Sequence, residues 1–185
     1  MSQTTSQAMS QSNKQHKSKP KPLLCFTDGA AKSNAKNANA GWGVYIPKFK
    51  YYNSGSMKGT NNQAELEAVK QLLLYLSKIV LFSSVLIYTD SKYVIGIFVD
   101  NNKYKVNVDL IDEIKELRKS IKVKVGFKHV ESHTKKTDFI SRCNAIVDKL
   151  ASDAAESITK KLKHDLTDLQ HKINELESML ETFDN

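Results

Sequence analysis

Apolar and polar positions change rhythm along the chain, and each change marks an element. Leu23-Leu24-Cys25-Phe26-Thr27 is a compact apolar run that stops at Asp28-Gly29, which predicts a short strand ending in a turn. Gly41 to Ile46 and Phe49 to Ser54 read as two further strands joined by Pro47-Lys48. Between Asn62 and Ser77, Leu66, Val69, Leu72, Leu73 and Leu76 recur on one face, which predicts a helix. Val85 to Thr89 is a buried strand bounded by Asp90. Ser91 to Val99 and Val108 to Ser120 carry helical patterns, Ile121 to His129 a strand pattern, and Asn144 to Ser157 a helix of small residues. The order β-β-β-α-β-α-α-β-α predicts an α/β domain over residues 23–157, with a mixed sheet covered by helices.

The two ends have different textures. Residues 1–22 are rich in Ser, Gln, Thr and Lys and have no apolar positions at regular spacing, which predicts a disordered basic arm. In residues 158–185, Leu162, Leu166, Leu169, Ile173, Leu176, Leu180 and Phe183 follow one another at alternating steps of four and three. That heptad seam predicts a C-terminal coiled-coil helix that pairs with a second copy or another partner; the bland alternative is one amphipathic helix folded back on the domain.

Composition narrows the classes. The 185 residues suit one ordinary domain with appendages, which excludes a large multidomain enzyme. The longest apolar runs fall short of the roughly 20 residues of a membrane span. Cys25 and Cys143 are far apart and have no close Cys or His companion, so neither a zinc site nor a disulfide framework is expected, and a reducing intracellular location, cytoplasmic or nuclear, is. The net charge of +8 falls on the arm and the central region, which points to a polyanionic partner.

Four acidic residues change this picture. Taken singly, each has a bland reading: Asp28 as part of an Asp-Gly turn, Glu65 completing a capping box from Asn62, Asp90 as an N-cap and Asp148 as a solvated helix carboxylate. Parallel strands ending at Asp28 and Asp90, however, deliver both carboxylates to the carboxyl edge of the sheet, and Glu65 at the start of the covering helix reaches the same place. Clustered carboxylates repel unless cations neutralise them, and hard divalent ions with oxygen ligands are the usual solution. Two such ions ~4 Å apart suit in-line phosphodiester hydrolysis.

Five blocks carry a family resemblance across about residues 23–157. Thr27-Asp28-Gly29-Ala30, Ala40-Gly41-Trp42-Gly43, Thr60-Asn61-Asn62-Gln63-Ala64-Glu65-Leu66, Thr89-Asp90-Ser91-Lys92-Tyr93-Val94 and Asn144-Ala145-Ile146-Val147-Asp148-Lys149-Leu150-Ala151 together resemble type 1 ribonuclease H, in order and at compatible spacing. The resemblance implies a five-stranded mixed sheet of order 3-2-1-4-5 and endonucleolytic cleavage of the RNA strand of RNA/DNA hybrids. It further implies that Asp28, Glu65, Asp90 and Asp148 hold two Mg²⁺ ions, with Mn²⁺ as a substitute, and that products carry 3′-hydroxyl and 5′-phosphate ends.

The same resemblance makes His133 a loop histidine that assists leaving-group protonation or product release, although Ser132 stands where the family usually has glycine. Ser91 and Asn144 become substrate-binding positions beside the carboxylates. Thr60, Asn61, Asn62 and Gln63 lie where amides at a helix start receive phosphate, and by resemblance the last three contact the hybrid, partly through 2′-hydroxyls. Many type 1 enzymes carry a basic, tryptophan-containing protrusion, whereas Asp100 to Val108 offers a short link with Lys103 and Lys105. Two other readings compete: a catalytically weak binding or assembly module of the same fold, and another nuclease of that fold such as a junction resolvase.

Overall fold

The computed structural model describes residues 20–33, 35–79, 82–132, 136–157 and 160. His133, most of the N-terminal arm and most of the heptad segment lie outside the described residues. The elements run β1 (Leu23–Ala31), β2 (Asn39–Ile46), a 3-10 turn (Pro47–Phe49), β3 (Tyr51–Lys58), α1 (Asn61–Leu76), β4 (Ser84–Thr89), α2 (Lys92–Phe98), α3 (Val108–Ser120) and β5 (Lys124–His129). A further helix, α4, covers residues 139–157.

The strands form one five-stranded sheet in the order β3-β2-β1-β4-β5, with β1 and β3 antiparallel to β2 and with β1, β4 and β5 parallel. Side chains alternate between two faces along each strand. Leu23, Cys25, Val44, Ile46, Val85, Ile87 and Val125 pack beneath α1, α2 and α3 in the larger core. Phe26 and Tyr88, stacked with centroids 5.1 Å apart, join Val130, Cys143 and Val147 in a smaller core under α4. Both cysteines are buried thiols, one in each core.

Several boundaries depart from the sequence reading. Asp28-Gly29 is no turn: β1 runs on to Ala31 because Asp28, Gly29, Ala30 and Ala31 still pair with Gly43, Trp42, Gly41 and Ala40 of β2. Pro47 starts a 3-10 turn that absorbs Phe49, so β3 begins only at Tyr51. Ile121 caps α3 through its N–H to the Leu117 carbonyl, and β5 starts at Lys124, opposite the first residue of β4. The last helix begins before Asn144 because the Asp138 carboxylate accepts from the Ile140 and Ser141 N–H groups.

Glycines bring the helices close. A Cβ on Gly29 would fall on the Glu65 backbone, so α1 crosses β1 there at a separation only glycine permits. On the other face, a Cβ on Gly43 would lie 2.7 Å from the Val147 carbonyl, and one on Gly41 would strike Ala151 and Ala155. These contacts fix where α1 and α4 sit, and therefore where Glu65 and Asp148 emerge.

Candidate active site

The parallel ladder between β1 and β4 ends at Phe26↔Tyr88. Two residues further on, Asp28 and Asp90 stand side by side on the α4 face, one still held by β2 and the other in the turn into α2. Ser91 sets that turn: its N–H donates to Thr89 Oγ1 at 3.1 Å, and its own Oγ accepts from Val94 N–H at 3.3 Å as the N-cap of α2. Glu65 approaches from α1 at the Gly29 crossing. Carboxylate oxygens of Asp28, Glu65 and Asp90 all lie within 4.8 Å of one another. Asp148 of α4 lines the same cleft, a space of about 470 Å³ also bordered by Ala30, Ala31, Asn61, Asn62, Lys92, Tyr93 and Ser132.

Electrostatics make this cluster costly without a cation. Asp28 and Glu65 are each only 4% exposed. Burial, followed by the charge of Asp90, pushes the Asp28 carboxyl up to about 8, against the pull of the Gly29 N–H that donates to its Oδ1 at 2.8 Å. Burial, then Asp28 and Asp90, raise Glu65 well above the usual carboxylate range. Glu65 Oε2 is buried and has no hydrogen-bond partner among the described residues. An all-oxygen donor set with an orphaned carboxylate oxygen fits a hard divalent ion, so the cluster has the means to hold a metal.

The bland reading of Glu65 as a capping residue is wrong. The capping box belongs to Thr60 and Gln63: Thr60 Oγ1 accepts from Gln63 N–H at 3.3 Å, and Gln63 Oε1 accepts from Thr60 N–H at 2.9 Å. Asn61 Oδ1 accepts from Ala31 N–H at 3.1 Å, which ties the start of α1 to the end of β1. Asn62 is exposed on the cleft, and its side chain makes no hydrogen bond among the described residues. Asn144, a turn before Asp148 on α4, is 4% exposed and does not line the cleft, and its Oδ1 is buried with no partner among the described residues.

A second groove of about 730 Å³ adjoins the cleft through Asn61 and Asn62. Its walls include Lys36, Asn37, Val106 and Asn107, none of which the sequence reading singled out. Asn107, the N-cap of α3, sits at φ 57° with no side-chain cap bond, and its Nδ2 donates instead to Tyr93 Oη at 3.2 Å. His129, at the end of β5, brings Nε2 within 3.2 Å of the Asp90 carbonyl. Nothing in the pattern of β5 marked that contact. The link between α2 and α3 spans residues 99–107 and holds no helix or strand.

A five-stranded sheet of this order, with carboxylates gathered where its central parallel strands end, places the chain in the class of α/β nucleases with an acidic cleft. Residues 20–156 match the family model for RNase H, and the chain belongs to that family of hydrolases. Ribonuclease H of Tropheryma whipplei (strain Twist) is 27% identical over 155 residues, spanning 77% of this chain and 89% of the relative. Among solved structures, the N-terminal RNase H domain of Rv2228c from Mycobacterium tuberculosis superposes with a TM-score of 0.60 at 19% identity, over 76% of this chain and 99% of that one. LC11 RNase H1, isolated from compost by a metagenomic approach and solved in complex with an RNA/DNA hybrid, gives 0.58 at 23% identity, over 74% and 98%. No helix among the described residues is long and apolar enough to cross a membrane.

Proposed function

We propose that the chain is a metal-dependent endoribonuclease that cleaves the RNA strand of RNA/DNA hybrids. The observation that carries this reading is the cluster of Asp28, Glu65 and Asp90 within 4.8 Å, with Glu65 Oε2 buried and unpartnered among the described residues, in a chain of the RNase H family. Asp28, Glu65, Asp90 and Asp148 would hold Mg²⁺, with Mn²⁺ as a substitute, and a bound pair would supply charge neutralisation, water activation and leaving-oxygen stabilisation for a phosphodiester hydrolysis that leaves 3′-hydroxyl and 5′-phosphate ends.

The protein's own groups position the substrate. Asn62, exposed and uncommitted, presents its amide to the minor-groove edge and 2′-hydroxyls of the hybrid, while the Thr60–Gln63 box and the Asn61–Ala31 bond hold α1 in place for it. Ser91 fixes the turn that aims Asp90. By its resemblance to the family's loop histidine, His133, outside the described residues, is assigned to leaving-group protonation or product release. Residues 158–185 are read as a self-association helix that lets two copies engage one long hybrid.

The test is cleavage of labelled RNA/DNA hybrid in Mg²⁺ beside duplex RNA, duplex DNA and a four-way junction. Cleavage confined to the RNA strand of the hybrid, reduced at least ~10³-fold by Asp90→Asn, is the expected result. Junction cleavage, or hybrid binding without cleavage in either metal, would overturn it.

A further inference from the structure

Of the three clustered carboxylates, Asp90 has the least support from regular structure. Asp28 is paired with Gly43 in the β1–β2 ladder and accepts from the Gly29 N–H at 2.8 Å. Glu65 lies within α1, where that helix crosses Gly29. Asp90 belongs to no element: β4 ends at Thr89, and α2 begins at Lys92. The direction of its side chain is therefore set by two peptide planes, one before its Cα and one after.

The end of β5 reaches both planes. Before Asp90, the Thr89 carbonyl accepts from the Val130 N–H at 3.0 Å. After it, one peptide carries the Ser91 N–H and the Asp90 carbonyl. That N–H donates to Thr89 Oγ1 at 3.1 Å, a bond within the turn. The carbonyl lies 3.2 Å from His129 Nε2. A carbonyl oxygen only accepts, so Nε2 carries the proton and donates. Thr89↔His129 is the last pair of the β4–β5 register, and the side chain of His129 takes over where the ladder stops.

The strand itself delivers the ring. Val125, Phe127 and His129 alternate onto one face of β5. Val125 is buried, and Phe127 stacks on Phe98 of α2 with centroids 5.1 Å apart. Arg118 Nη2 adds a bond to the Val125 carbonyl at 2.7 Å. These contacts fix β5 against α2 and bring His129 to the turn that precedes that helix. With Nε2 committed to the Asp90 carbonyl, the proton on that nitrogen is held by backbone and the role left to it is geometric.

We propose that His129 is a positioning residue: by holding the Asp90 carbonyl it aims the Asp90 carboxylate at Asp28 and Glu65, and so sets the affinity of the cleft for a divalent ion. The ring is exposed, so its bond adds little to stability and acts on direction instead. The effect on cleavage rests on the hybrid-cleaving reading; the hold on the peptide does not.

The test compares the unaltered chain with three variants. His129→Phe keeps a ring without the donor, His129→Gln places an amide nitrogen where Nε2 stands, and His129→Asn holds its amide one bond too short. In metal-free buffer, the Ser91 amide is expected to exchange at least about fivefold faster in the Phe and Asn variants and near the native rate in the Gln variant. Melting temperatures should agree within about one degree. Calorimetric titration with Mn²⁺ should show binding weakened about tenfold in the Phe and Asn variants and recovered to within about twofold by Gln. On the hybrid at fixed Mg²⁺, kcat should follow the metal affinity while KM stays nearly constant.

Unchanged Ser91 exchange in His129→Phe would overturn the proposal. So would faster exchange with unaltered Mn²⁺ affinity, or a loss that Gln does not recover. A chain that binds no divalent ion would overturn it together with the metal cluster. A chain that binds Mn²⁺ yet leaves the hybrid intact would overturn the hybrid-cleaving reading alone.

Discussion

The Asp28 carboxyl is raised to about 8 by burial and by Asp90, so the folded metal-free protein binds a proton there more tightly than the unfolded chain does. The stability this contributes is present in full below the ordinary carboxylate range and is lost as pH rises through about 8. Melting of the metal-free protein should therefore fall in temperature from ~pH 4 to ~pH 8, and Asp28→Asn should flatten that slope and raise the melting temperature at its upper end. An unchanged slope would remove Asp28 as its source. Asn62 makes a different case, because its amide is exposed on the cleft and bound to nothing among the described residues. Asn62→Ala should raise KM about tenfold with kcat and melting temperature nearly constant, whereas Gln63→Ala should cost about 1 kcal/mol of stability through the lost cap. Steady-state kinetics on the hybrid and thermal melts separate the two.

At the scale of elements, the close crossings matter more than any side-chain contact. The Val147 carbonyl lies 2.7 Å from where a Gly43 Cβ would stand, so Gly43→Ala must push α4 outward and carry Asp148 with it. The expected result is a loss of about 1–3 kcal/mol in denaturant unfolding together with a fall in kcat, while Asp28, Glu65 and Asp90 keep their mutual geometry. A variant with native stability and activity would show that the crossing is soft. Elements were also where the sequence was most and least readable. The bounds of α3 were plain because Ile111 and Ile114 face inward at helical spacing between Val108 and Ser120. The end of β1 was hidden because Asp-Gly is locally a turn signal. Only its pairing with β2, Asp28 with Gly43 and Gly29 with Trp42, keeps those residues extended.

At the scale of the whole molecule, the sheet order and the gathering of the carboxylates were legible because each strand and helix carries its own period and the acidic residues sit at their ends. Less visible was what depends on contacts between distant segments. Lys36, Asn37, Val106 and Asn107 come from the β1–β2 and α2–α3 connections and meet only in the folded groove, so no local pattern marks them. The bond from His129 to the Asp90 carbonyl likewise exists only because β5 lies beside β4.

The link at residues 99–107 has a consequence of another kind. It divides the chain so that Asp28, Glu65 and Asp90 fall on one side, and Asp148 with β5 on the other. Two fragments cut there would each lack part of the acidic cleft, and β5 would have to find β4 before the cleft could be whole again. Fused to two proteins that bind one another, such halves would make a reporter that is silent apart and active together.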